Sequence, residues 1–166
     1  MFERLNTPEE IFSFKLGSAL TMEQNILEML GELQDKTQRD ELRQLFHQHA
    51  EETRQHVSNI EQAFKLLGEE VDDSPCPAFQ GLEKEGKATM KKTDDSIIDA
   101  VILAGAIETE HHEIAVYETL VNNAEARDAQ EVAALLRQNL EQEQAALEKV
   151  KAAAHRIARE GYAKAA

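Results

Sequence analysis

Residues 103–120 read Leu-Ala-Gly-Ala-Ile-Glu-Thr-Glu-His-His-Glu-Ile-Ala-Val-Tyr-Glu-Thr-Leu. Steps of three and four residues through this stretch pick out Leu103, Ala106, Glu110, Glu113, Tyr117 and Leu120. That spacing keeps side chains on one face of an α-helix. The face is apolar at both ends and carries two carboxylates in its middle. A buried carboxylate without a partner costs several kcal/mol or takes up a proton. The stretch therefore predicts a bundle helix whose buried stripe holds charge for a reason.

Working outward, three more helices show the same interruption. The first, about 8–33, has the stripe Phe12, Leu16, Ala19, Glu23, Ile26, Leu30, Leu33. The second, about 38–67, has Leu42, Leu45, His49, Glu52, His56, Asn59, Ala63. The third spans about 94–122. The fourth, about 129–160, has Leu136, Leu140, Glu143, Leu147, Val150, Ala154, Ile157. Glu23, Glu52, Glu110 and Glu143 each lie about four turns from their helix start, at 3.6 residues per turn. Helices packed side by side then bring four carboxylates to one level of the core.

The boundaries come from local signals. Thr7-Pro8-Glu9-Glu10 predicts an N-cap, a first-turn proline and a capping-box Glu. Thr37 with Asp40, Thr93, and Asp128 with Glu131 are expected to open the later helices. Gly68 is the expected C-cap of the second helix, and Gly161 the stop of the fourth. Two short connections make two antiparallel hairpins. The link 69–93 holds Pro75-Cys76-Pro77 and a short helix within Ala78–Met90, long enough to cross the bundle. The expectation is an all-α, ferritin-like four-helix bundle, one domain over 1–166, with two antiparallel hairpins joined by one long crossover.

Composition narrows the function. The 166 residues include 7 Gly, 3 Pro and no Trp, which speaks against an all-β fold. There are 18 Lys+Arg against 32 Asp+Glu, a net charge of −14, and such a field repels nucleic-acid backbones. No apolar run is long enough to span a membrane, and Met1–Asn6 does not read as a signal peptide. The single cysteine, expected as an exposed and inert thiol, suits a reducing cytoplasm.

No Lys or Arg stands in the stripes at the level of the four Glu. Two divalent cations balance four carboxylates, and oxygen-rich sites with imidazole suit iron or manganese. The candidate ligands are Glu23, His49, Glu52, His56, Glu110, Glu113 and Glu143, with either His49 or His56 supplying nitrogen. Tyr117 packs in the core or hydrogen-bonds a ligand; Thr53 and Gln55 are possible supporting donors. His111 and His112 face outward or orient the ligands, and His47 and His155 read as surface. A second apolar strip, Ile97, Ala100, Ala104, Ile107 and Ile114, needs a cover from the crossover or a second subunit.

The motifs His49-x-x-Glu52-Thr53, Glu110-His111-x-Glu113-Ile114-Ala115-x-Tyr117 and Leu140-x-x-Glu143, with Glu23 on the first helix, resemble the YciE/YciF family of ferritin-like proteins. The resemblance covers nearly the whole chain. It implies a ferritin-like bundle, a homodimer, a link to bacterial stress responses and a di-metal centre, but no defined reaction. Gln55 and Ala146 stand where the wider ferritin pattern has His. The pair Glu110-x-x-Glu113 is similar to the extra carboxylate of rubrerythrins, which favours peroxide chemistry. The rubrerythrin cysteine knuckle is absent, so electrons come from elsewhere. The expected function is redox reaction of two iron or manganese ions with H₂O₂ or O₂. The alternatives are a non-enzymatic stress or structural protein of the same fold, and a storage cage.

Overall fold

A computed structural model describes residues 4–165, with side chains described from 4 to 163. The elements are α1 (Pro8–Lys36), α2 (Asp40–Leu67), α3 (Pro77–Met90), a 3-10 turn (Asp95–Ile97), α4 (Ile98–Ala126) and α5 (Gln130–Ala165). No strand occurs among the described residues. Helices α1 and α2 pair as one antiparallel hairpin and α4 and α5 as the other. The two join chiefly along α2 and α5, while α3 lies on α4. This is the ferritin-like bundle with one long crossover.

Each stripe is buried as its periodicity requires. Phe12, Leu16, Ile26, Leu30 and Leu33 of α1 meet Leu42, Phe46, Ile60 and Phe64 of α2. Burial of such side chains contributes about 1.5–3 kcal/mol each. The capping box at Thr7 forms: its hydroxyl accepts the Glu10 N–H at 3.2 Å, and the Glu10 carboxylate accepts the Thr7 N–H at 3.2 Å. Gly68 ends α2 at φ 70°, a left-handed conformation that glycine adopts without a Cβ clash. The crossover then runs tight against α1. A Cβ on Gly17 would lie 2.9 Å from the Asp72 carbonyl oxygen.

Several caps differ from expectation. Thr37 does not open α2, whose N-cap is Arg39. Thr37 instead donates its hydroxyl to Asp99 Oδ1 at 2.7 Å, and the Gln38 N–H donates to the same oxygen at 2.8 Å. Buried Asp99, in the first turn of α4, thereby ties the α1–α2 turn to the second hairpin. Asp94 rather than Thr93 caps the turn before α4, accepting the Ser96 N–H at 2.9 Å. Asp128 stands at φ 58°, and α5 opens two residues later, at Gln130. Gly161 does not stop α5. Helix propensity is a weak prior, and one glycine costs a helix only about 1 kcal/mol.

The crossover leaves part of the second apolar strip uncovered. Phe79 is fully buried, and Leu82 and Met90 lie near Val101 and Ile102. Ile97, Ala100 and Ala104 remain exposed, and Ile107 and Ile114 are half-buried.

Candidate metal centre

Asp99 and the two hairpin turns hold the four long helices at matched depth. Glu23 then points inward from α1, His49 and His56 from α2, Glu110 and Glu113 from α4, and Glu143 from α5. All six are buried. Their ligand atoms form two groups, each lying within 4.8 Å of one another: His49, Glu110, Glu113 and Glu143, and Glu23, His56 and Glu143. Glu143 belongs to both.

In the first group, His49 Nε2 lies 3.3 Å from Glu110 Oε1 and 3.6 Å from Glu143 Oε2. In the second, His56 Nδ1 lies 2.8 Å from Glu143 Oε1 and 3.6 Å from Glu23 Oε2. His56 Nε2 meets Gln142 Oε1 at 2.9 Å. Since the Gln142 oxygen can only accept, Nε2 carries a proton and Nδ1 is the atom offered to the carboxylates. Tyr117 donates its phenol to Glu23 Oε1. Asn139 donates to the Tyr117 oxygen at 3.0 Å and to the His56 carbonyl at 3.3 Å, and accepts from Asn59 at 2.7 Å.

Glu52 stands apart from both groups. It faces the other nitrogen of His49, with Oε2 3.5 Å from Nδ1, while Oε1 accepts from Gln48 at 3.0 Å and lies 3.7 Å from Lys149 Nζ. Its side chain is 21% exposed. Lys149 was not among the stripe positions, and it reaches Glu52 from the rim. Thr53 donates its hydroxyl back to the His49 carbonyl at 2.9 Å, and Gln55 donates to Asn59 at 2.8 Å. Both support the backbone or the Asn59 network rather than the cluster.

Proton affinities follow from this crowding. Burial pushes Glu113 and Glu23 up, and the neighbouring Glu143 charge adds to it in both, so Glu113 holds a proton well above the usual carboxylate range. Burial, only partly opposed by His49, carries Glu110 up to about 9. Burial alone would lower His49, but Glu52, Glu110 and Glu143 outweigh it and raise it to about 9. His56 is raised in the same way, by Glu143 and Glu23 against burial, to about 10. Burial disfavours the Glu143 anion too, yet its contacts with His56 and His49 bring it below the usual range. Glu143 is the anion that both imidazoles share.

The residues fit a pair of cations. Glu23 Oε2, His49 Nε2, His56 Nδ1, Glu110 Oε2 and both oxygens of Glu113 and Glu143 are buried without an aligned hydrogen bond. Buried polar atoms left in this way are rare and expensive. Here they converge from four helices, and the mixture of carboxylate and imidazole is a donor set for iron or manganese.

Sequence reasoning missed Asn139, Gln142 and Asp99. Cys76 also differs from expectation. It is buried where α3 begins, 3.8 Å from His112 Nε2. Burial raises its thiol pKa, but the His112 contact and neighbouring donors bring it below the usual thiol value. His111, His47 and His155 are exposed, as expected.

Residues 7–163 match a family described as a domain of unknown function, DUF892. Protein YciF of Escherichia coli (strain K12) is 32% identical over 143 residues, covering 85% of this chain and 86% of YciF. The crystal structure of the E. coli stress protein YciF is similar with a TM-score of 0.88 at 29% identity, covering 93% of this chain and 99% of that one. YcfI of Rhodopseudomonas palustris, whose description proposes a structural role, gives a TM-score of 0.87 at 33% identity, covering 91% and 98%. Fold, stripe motifs and both comparisons agree: the chain belongs to the DUF892 family of ferritin-like proteins, together with YciF.

Proposed function

We propose that this chain acts as a single ferritin-like domain holding two iron or manganese ions, and that it serves a stress response in the cytoplasm as a homodimer. The observation that carries the reading is the set of buried ligand atoms from four helices that lack an aligned hydrogen bond, divided into two groups that share Glu143. His49, Glu110, Glu113 and Glu143 would hold one ion; Glu23, His56 and Glu143 the other. The uncovered strip at Ile97, Ala100 and Ala104 supports a face between two copies.

The bound pair would supply redox chemistry with a small oxidant, H₂O₂ or O₂, because an anionic shell favours the higher metal charge. The chain's own residues prepare that chemistry. Glu113 holds a proton at the inner end of a cleft. Tyr117 and Asn139 fix Glu23, and Gln142 fixes the His56 ring. Apolar side chains around the cluster exclude bulk water, so a large substrate does not reach it.

A second reading, a structural stress protein without turnover, is favoured by one observation. Glu143 between two imidazoles already forms a buried ion pair without metal. Elemental analysis of protein purified without chelator, followed by peroxide addition to the Fe²⁺-loaded protein, separates the readings. Bound metal and peroxide consumption beyond the metal added support the redox role. Bound metal without consumption assigns the centre to structure, and absence of binding removes it.

A further inference from the structure

The two ligand groups are unequally reachable. A narrow cleft, with about 20 Å³ open to a water-sized molecule, enters between the helices and is lined by Leu30, Leu33, Phe46, Ala106 and Val150. Its inner end is formed by His49, Glu110 and Glu113, and its rim carries Glu52 and Lys149. Glu23 and His56 do not line it. They are fully buried, closed off by Tyr117, Asn139 and Gln142. All three inner groups carry buried atoms without an aligned hydrogen bond: His49 Nε2, Glu110 Oε2 and both Glu113 oxygens.

Resting on the metal-binding reading above, we propose that divalent cations enter through this cleft, past Glu52 and Lys149, and fill the His49 position before the Glu23–His56 position. The inner position then fills by transfer across Glu143, the one residue that both share. Lys149 is 42% exposed and its ammonium stands 3.7 Å from Glu52 Oε1. A positive charge at the mouth of this cleft slows an approaching dication, and the Glu52 carboxylate draws it in. Local charge at a cleft mouth changes association rates by tenfold or more at low salt.

The test uses Co²⁺ uptake by the full-length apoprotein, read by visible absorption in a stopped-flow instrument, with no turnover measured. Lys149→Glu should speed the first phase roughly tenfold at low salt, with the endpoint unchanged. Lys87→Glu, an identical charge change on α3, should alter it by far less. Glu23→Gln should keep the fast phase and lose the slow one. Equal acceleration by Lys149→Glu and Lys87→Glu would overturn the entry route, and loss of the fast phase in Glu23→Gln would overturn the order. If the wild-type apoprotein takes up no Co²⁺, it is the metal-binding reading itself that fails.

Discussion

The half of the cluster around Glu23 and His56 and the half around His49 and Glu113 use similar groups in opposite ways. In the inner half a hydrogen-bond network fixes what it holds. Tyr117 binds Glu23, Asn139 binds Tyr117 and the His56 backbone, and Gln142 sets the imidazole. In the outer half both Glu113 oxygens are unpartnered, His49 is oriented by a half-exposed Glu52, and a cleft arrives from the rim. Under the two-metal proposal, the inner group is the rigid position and the outer group the exchangeable one. Glu143 is the hinge of the comparison, since it is ionised and belongs to both.

Removing that hinge should have the largest effect. In Glu143→Gln the amide cannot balance either imidazolium, so the apoprotein should lose about 3–5 kcal/mol at pH 7. Both metals should be lost with it. Urea unfolding and elemental analysis check the two parts. Full occupancy in Glu143→Gln would show that the halves do not share it. A more stable Glu143→Leu that still binds metal would leave Glu143 as a plain buried carboxylate.

Glu113→Gln sharpens the contrast, because burial and the neighbouring Glu143 charge already favour the protonated form of Glu113. Apoprotein stability should change by less than about 1 kcal/mol, while the outer metal is lost. A destabilisation as large as that of Glu143→Gln would mean that Glu113 is ionised. Tyr117→Phe probes the inner half. It should cost about 1 kcal/mol and weaken the inner metal by roughly 10–100-fold, leaving the outer one in place. Competition against a chromophoric chelator reads both.

Proton competition gives a smaller and graded effect. His49, His56 and Glu110, raised to about 9, 10 and 9, carry protons at neutral pH. A cation must displace them, so affinity should rise with pH from 7 toward 9 and fall on acidification. The gain is roughly tenfold per pH unit for each proton displaced. Isothermal titration in buffers of differing ionisation enthalpy reads the proton release. Affinity that is flat across this range would put the protons elsewhere.

The helices and the depth of the cluster were legible because periodicity and burial are both local consequences of sequence. Glu23, Glu110 and Glu143 stood out as carboxylates in otherwise apolar stripes. Asn139 did not, because the stripe of α5 is wide enough for two choices at that turn. Leu140 fits an apolar pattern better, yet Asn139 is the fully buried one. The spacing of Glu52 puts it on the face of His49 and His56, yet it lies outside both ligand groups. Its position at the edge of that face, with Lys149 waiting at the rim, depends on how α2 and α5 are rotated against each other. Thr37 looked like a cap because caps are local, whereas its partner Asp99 lies 62 residues away. Cys76 between prolines reads as exposed, and it is the packing of the start of α3 against both α1 and α4 that buries it.

The two-cation proposal rests on how many ions the apoprotein takes up. Anaerobic titration of the apoprotein with Fe²⁺ or Mn²⁺, followed by metal analysis after gel filtration, tests it most directly. Saturation is expected at two ions per chain, one in each ligand group. Saturation at one ion per chain, or no retained metal, would contradict it.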